Sequence, residues 1–220
     1  GTHKLHLQDT IFHPQGGGQP SDTGIILYCR SYAPHCTTRS HQCAALCRPR
    51  SVPVRAGGVH RPVRVHLYID AERRALHAKL HSAGHALDAA MLRLGHLSEL
   101  QAAKGYHFTD GPYVEYNCSP GFTMSPEEMT ALPATLNAVM SEMISEKIDT
   151  QVEFLSNTEA GELCQSDLSS YPAQVRVVTV AGNPCPCGGT HVANTEQLAG
   201  LEVTKAKIKK KVLKISYLFK

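Results

Sequence analysis

Apolar residues recur at helical spacing between positions 70 and 94. They lie three and four positions apart, at Leu76, Leu80, Ala83, Leu87, Ala90, Met91 and Leu94. This spacing predicts a helix with one buried face. Gly95 suits the position just past a helix C-terminus, so we expect the helix to end there.

A second helix is predicted to begin at Ser125. Pro126 suits the first helical position, and Glu128 completes a capping box with the serine. Its apolar positions are Met129, Leu132, Leu136, Val139, Met140, Met143 and Ile144. We interpret this methionine-rich face as core packing, and we expect Pro133 to kink the helix.

Shorter apolar runs predict strands and one further helix. Aromatic residues on both sides of Asp110-Gly111 predict a hairpin, because that dipeptide suits a tight turn. A second hairpin is predicted from 203–208 and 212–218, with lysines at its tip. Further strands are predicted at 59–69, 151–155 and 175–180, and a short helix at 158–168. Because strands and helices come in runs and do not alternate, we predict an α+β fold with an antiparallel sheet.

The N-terminal part of the chain is harder to interpret. Residues 1–28 are predicted to form strands, interrupted at 15–20 by three consecutive glycines that permit positive φ and close backbone approach. Residues 29–58 show no clear period. A second zinc site there is disfavoured, because the spacing of its cysteines is irregular. These are Cys29, Cys36, Cys43 and Cys47.

The composition indicates a globular protein without a membrane span. Of the 220 residues, 42% are hydrophobic, which is ordinary for such a protein. No apolar run approaches the ~18 residues that a membrane span needs, and no signal-peptide pattern is present. Reduced thiols and metal binding therefore explain the eight cysteines better than disulfides do. We expect a cytoplasmic protein that does not act at a membrane.

The charges are segregated along the chain. No acid lies between Asp22 and Asp70, where seven arginines stand, and none follows Glu202, where lysines accumulate. Two basic segments favour a polyanionic partner, because contacts to phosphates release counterions. For Lys209-Lys210-Lys211 alone, a solvated hairpin tip is an equally good interpretation.

Two short motifs supply metal-ligand residue types. His81 and His85 are four apart in the first predicted helix, so they share one face and can bind the same ion. Cys187 and His191 are also four apart and enclose a Gly-Gly turn. Three imidazoles and one thiolate are the number and type of ligand that tetrahedral Zn²⁺ prefers. The alternative is a buried structural histidine beside an ordinary glycine turn.

Three motifs, taken in order, resemble the signatures of alanyl-tRNA editing proteins of the AlaX type. They lie at 12–24, which contains Pro14-Gln15-Gly16-Gly17-Gly18-Gln19, at 80–85 and at 187–192. AlaX proteins are free-standing relatives of the editing domain of alanyl-tRNA synthetase. The resemblance implies a small N-terminal β-barrel-like domain in 1–69 that carries the glycine loop. It also implies a zinc-binding α+β editing domain in 70–220.

The resemblance implies hydrolysis of the ester that joins a wrong amino acid to alanine tRNA, mainly serine and also glycine. The partner is then the acceptor end of tRNA. The metal ligands are expected to be His81, His85, Cys187 and His191, and the catalytic residues Gln19, Gly188, Gly189 and Thr190. An aminoacyl ester is already activated, so the enzyme needs only to position water and stabilise an oxyanion.

Other interpretations remain open. A zinc peptidase is disfavoured, because Ser82 follows His81 where HExxH enzymes carry a catalytic glutamate. A non-catalytic, zinc-stabilised RNA-binding module is supported by the basic segments. Cys185 could be a nucleophile or a spare ligand, but the prolines on both sides favour a rigid turn residue.

Overall fold

The computed structural model describes residues 6–7, 9–28, 54–56, 59–63 and 65–220. The chain forms two compact units, one of Gly1–Pro14 with Ser21–Arg74, the other of Gln15–Pro20 with Ala75–Lys220. The glycine loop thus belongs to the second unit. The division into domains at 69/70, and the barrel-like architecture of 1–69, stay predictions. The cysteines at 29–47 lie outside the described residues, as do the side chains of all seven arginines at 30–64.

The described residues of the first unit form five short strands, which we number β1 to β5. Their order in one sheet is β1-β3-β4, while β2 pairs antiparallel with β5. Val65 and Leu67 are buried and pack against apolar residues of the loop before β2. The predicted strand over 59–69 is present as two strands, β4 and β5. The bounds are β1 His6–Leu7, β2 Gly24–Tyr28, β3 Val54–Ala56, β4 Val59–Val63 and β5 Val65–Ile69.

The second unit contains two antiparallel sheets and most of the helical residues. A four-stranded sheet has the order β11-β12-β7-β6, and a three-stranded sheet has the order β10-β9-β8. The strands are β6 Leu100–Tyr106, β7 Tyr113–Cys118, β8 Gln151–Ser156, β9 Gln174–Val180, β10 Asn183–Pro186, β11 Leu201–Lys209 and β12 Val212–Phe219. The helices are α1 Ala71–Arg93, α2 Pro126–Ser145 and α3 Asn157–Cys164. The predicted α+β class with antiparallel sheets is confirmed.

The helix predictions hold for α1 and α2. In α2, the Ser125 hydroxyl accepts from the Glu128 amide at 3.1 Å, and the Glu128 carboxylate accepts from the Ser125 amide at 2.7 Å. The methionine-rich face is buried as predicted, with Met140 and Met143 in the main core. The third helix was predicted four residues too long, because Gln165 adopts a left-handed φ of 49° and ends it.

The main core lies between α1, α2 and the four-stranded sheet. Its largest buried side chains include Tyr116, Tyr217, Leu87, Met91 and Leu136. Because α1 packs into this core, residues 81 to 87 are all buried. The polar side chains among them, those of His81, Ser82 and His85, are therefore oriented by contacts with neighbouring residues. None of the helices within the described ranges has the length and apolar character to cross a membrane.

Candidate metal centre

The structure brings together the four residues predicted as metal ligands. His81 and His85 lie one turn apart on α1, and Cys187 and His191 lie in the loop after β10. Their ligand atoms are all within 4.8 Å of one another. The Cys187 amide donates to the carbonyl of Arg176 at 3.1 Å, which attaches this loop to β9.

Three imidazole nitrogens and one sulfur converge at the centre of this group. The Nε2 atoms of His81 and His85 are 3.3 Å apart. Cys187 Sγ lies 3.3 Å from His191 Nε2 and 3.6 Å from His81 Nε2. All four atoms therefore face a common point, and the group could hold a metal ion.

Neighbouring side chains fix which nitrogen of two histidines faces that point. The Gln19 amide oxygen lies 2.8 Å from His81 Nδ1. Since a carbonyl oxygen only accepts, His81 Nδ1 carries the proton and its Nε2 lone pair points at the common centre. The Ser82 hydroxyl lies 3.1 Å from His191 Nδ1 and orients that ring so that its Nε2 faces Cys187 Sγ. This donor set fits Zn²⁺ in number and type.

Gln19 also connects the glycine loop to the Gly-Gly turn. Its oxygen accepts from the Thr190 amide at 3.0 Å, and its nitrogen donates to the Thr190 hydroxyl at 2.8 Å. Gln19 is fully buried. A Cβ at Gly189 would overlap the His81 ring, whereas Gly188 has nothing within 4 Å of its Cβ position. The catalytic roles expected of these four residues stay predictions.

A cavity of about 320 Å³ adjoins three of the four ligand candidates. Its wall includes His81, His85 and Cys187, with the exposed Gly188 at one side. Gln19 and Thr190 are not among the described residues that line it. The cavity thus places open volume beside the convergent nitrogens and sulfur.

His107 is a cavity residue that sequence reasoning missed. Its ring stacks on that of His81, with centroids 4.8 Å apart. Its Nδ1 lies 2.7 Å from the Tyr217 hydroxyl, which itself donates to the Leu80 carbonyl at 2.9 Å. The single hydroxyl proton is thereby used, so His107 Nδ1 must donate and Nε2 is left as an acceptor. Burial lowers the pKa of His107 to about 4, which keeps it neutral.

Glycines make the space for this ring. A Cβ at Gly84 or Gly105 would overlap His107, and one at Gly18 would overlap the backbone of Gly105. Gly18 also has a φ of 77°, and its carbonyl accepts from the His107 amide at 2.9 Å. The glycine loop, α1 and β6 therefore approach one another closely around one histidine.

Asp88 is the second cavity residue that sequence reasoning missed. It follows His85 by three residues on α1, so it lies on the same side of the helix. Its Oδ1 accepts from the Tyr116 hydroxyl at 2.6 Å. Burial raises the pKa of the Asp88 carboxyl to about 6. The sequence does contain a signal for this residue, because Asp88 is a single acid within an apolar stretch of the helix.

Burial disfavours the thiolate form of the two cysteines near the site. Burial raises the pKa of Cys185 to about 12 and raises that of Cys187. Cys185 is therefore a poor nucleophile at neutral pH. It lies in the strand β10, so its interpretation as a turn residue was wrong. Pro184 and Pro186, on either side of Cys185, are extended because β10 pairs with β9.

Comparison with known proteins agrees with the three motifs. Residues 175–214 match the family model of the threonyl and alanyl tRNA synthetase second additional domain. An alanine–tRNA ligase of Methanospirillum hungatei is 28% identical over 206 residues, which cover 90% of this chain and 21% of the ligase. The alanyl-tRNA editing protein AlaX-M of Methanosarcina barkeri is 26% identical over 223 residues, which cover 93% of this chain and 84% of AlaX-M.

The chain thus spans about a fifth of the length of the ligases that it matches, and most of the length of AlaX-M. A ligase of Streptococcus gordonii gives a similar result, with 28% identity over 216 residues. This chain is therefore similar to an AlaX-type alanyl-tRNA editing protein and to alanine–tRNA ligases, as its motifs predict.

Proposed function

We propose that this protein hydrolyses the ester of mischarged alanine tRNA, removing serine and also glycine. The observation that carries the proposal is the convergence of His81, His85, Cys187 and His191 beside an open cavity. The similarity to AlaX-M and to alanine–tRNA ligases supports the substrate class. Residues 1–69 form the β-barrel-like domain and 70–220 the editing domain in this proposal, and the protein acts in the cytoplasm.

Zn²⁺ is the proposed cofactor, held by the three Nε2 atoms and the Cys187 sulfur. When bound, zinc supplies Lewis acidity, which polarises an ester carbonyl or makes water more acidic. Gln19 keeps His81 in the tautomer that such binding needs, and Ser82 holds the orientation of the His191 ring.

The chain itself offers an amide for the developing negative charge. The Gly189 amide donates to Cys187 Sγ at 3.3 Å, so it is already engaged. The exposed Gly188 lines the cavity and has no side chain to exclude a substrate. Of the two glycines, we therefore assign the oxyanion contact to Gly188. Thr190 and Gln19 act by holding this turn in position.

The alternative function is a zinc-stabilised RNA-binding module without catalysis. The basic segments support this RNA-binding function as well as they support the hydrolase. A scaffold needs no open volume beside its metal, however, and the cavity of about 320 Å³ therefore favours the hydrolase.

Amino-acid selectivity tests the proposed reaction. The protein should deacylate tRNA carrying serine on the order of 10⁴-fold faster than tRNA carrying alanine, measured as kcat/KM. A site that hydrogen-bonds a substrate hydroxyl rejects the analogue without it by this factor, because its polar groups are then left unpaired. Release of radiolabelled amino acid from each tRNA gives the ratio. Equal rates would leave a hydrolase without a proofreading role, and no release from either tRNA would contradict the proposed function.

The tRNA backbone is proposed to contact the tip of the last hairpin. Lys209 ends β11, and Lys210 and Lys211 form the two-residue turn with φ of 51° and 60°. All three side chains are exposed. Such a turn projects their charges outward beyond the sheet, where phosphates can approach.

Replacing these three lysines by alanine should weaken tRNA binding and flatten its dependence on salt. The slope of log affinity against log salt should fall by about one unit for each phosphate that the variant no longer neutralises. Amino-acid preference and metal content should not change. Lys147→Ala is the matched control, since that lysine is exposed but paired with Glu196 at 2.6 Å. Binding curves identical to the wild type would show that the tip is merely solvated.

A further inference from the structure

Asp88 is an acid in the cavity wall without a cationic partner. Among the described residues, the acids that line the cavity are Asp88 and Glu115. Glu115 is paired with Lys214 at 3.8 Å. Within the described part of the chain, Asp88 forms no ion pair, and its one hydrogen bond is that from Tyr116 to Oδ1. Its carboxylate therefore retains acceptor capacity on Oδ2.

Lys104, the nearby cation, does not form an ion pair with Asp88. Lys104 also lines the cavity, but its Nζ lies over the Tyr113 ring, 5.6 Å from the centroid. Burial makes the charged form of Asp88 costly, which is why its pKa rises to about 6. An unpaired carboxylate in such a place is most simply explained by a cation that the ligand brings.

The cavity holds a second acceptor. His107 lines the same wall, and its hydrogen bond with Tyr217 leaves Nε2 unprotonated. The cavity thus offers a carboxylate and an imidazole nitrogen beside the metal ligands. An ammonium group has three N–H donors and complements such acceptors.

We propose that Asp88 binds the α-ammonium group of the aminoacyl ester, with His107 Nε2 as a second acceptor. This inference rests on the proposed function and adds the determinant of substrate class. Every aminoacyl ester carries an α-ammonium, whatever its side chain, whereas peptidyl and other N-acylated tRNAs do not. Asp88 therefore selects free aminoacyl esters, while amino-acid identity is determined elsewhere in the cavity.

The test compares two substrates that differ in one group. Seryl-tRNA is compared with its deaminated form, prepared with nitrous acid, in which a neutral hydroxyl replaces the α-ammonium. Wild-type protein should cleave the seryl ester about 10- to 100-fold faster in kcat/KM, as expected for a charge-assisted hydrogen bond. In Asp88→Asn this ratio should fall to about one. The asparagine is isosteric and can still accept from Tyr116, so the fold is kept.

Glu115→Gln is the matched control. It removes a carboxylate from the same cavity, but one already paired with Lys214, so the substrate ratio should stay at the wild-type value. Metal content should be equal in both variants. A ratio of one in wild type, an unchanged ratio in Asp88→Asn, or the same loss in Glu115→Gln would each overturn the role of Asp88.

A binding measurement gives a readout independent of turnover. The 3′-amide analogue of seryl-adenosine cannot be hydrolysed as the ester is, and calorimetry gives its Kd. Asp88→Asn should weaken its binding about tenfold, and should not weaken binding of the deaminated analogue. Equal weakening of both would overturn the inference. If wild type cleaves neither tRNA ester, the proposed function fails; if it cleaves both equally, only the role of Asp88 fails.

Discussion

His85→Ala is expected to lose the bound zinc and on the order of 10³-fold in deacylation rate. His85 is one of four convergent donors, and a site with three retains metal weakly. Loss of several kcal/mol of charge stabilisation corresponds to a rate change of this size. Thermal stability should fall as well, because the ion connects α1 to the loop after β10. Elemental analysis should give about one zinc per chain in wild type and little in the variant.

His66→Ala is the control for loss of a histidine. His66 is exposed on β5 of the first unit, whereas all four convergent donors belong to the second unit, so metal content and rate should be unchanged. The ligand assignment is contradicted if both His85→Ala and Cys187→Ala retain a full complement of zinc.

Gly189→Ala should abolish metal binding although it alters no ligand. The added methyl group would occupy the position of the His81 ring. The ring cannot move aside cheaply, because Gln19 holds its Nδ1 at 2.8 Å and His107 stacks on it. We expect a loss of activity at least on the order of 10²-fold, from displacement of a positioned group.

Gly188→Ala tests the same turn without the clash. Nothing lies within 4 Å of a Cβ at Gly188, so this variant should keep its zinc. Both substitutions restrict the backbone to a similar extent, so the two variants differ only in the overlap with the His81 ring. Metal content that is equal in the two variants would show that His81 is not confined as described.

The elements of the second unit follow from local patterns in the sequence. The spacing of apolar residues predicts α1 and α2, and the capping box locates the start of α2 to the residue. The ligand candidates could also be found, because His81 and His85 are one turn apart and Cys187 and His191 enclose glycines. Each of these signals lies within a few residues of its own position in the chain.

The features that the sequence does not reveal depend on contacts between distant segments. In the sequence, His107 is one residue of a run of aromatic residues. The space for its ring depends on Gly18, Gly84 and Gly105, which lie in three separate segments of the chain. In the sequence, Asp88 is only an isolated acid within a helix. The cavity beside it cannot be inferred locally, because its wall is built by the distant strands β6, β7 and β10. Gln165 ends α3 through a left-handed φ that local composition does not require.

The separation of the two ligand pairs sets an order of assembly during synthesis. About a hundred residues lie between His85 and Cys187. At ~5–20 residues per second, ribosomes need on the order of 5–20 s to make them. Through that interval the histidine pair exists without the cysteine, and Tyr217, which fixes His107, is made later still. The centre is therefore complete only once Cys187 and His191 have been made, and a cation that arrives earlier meets only two of the four donors.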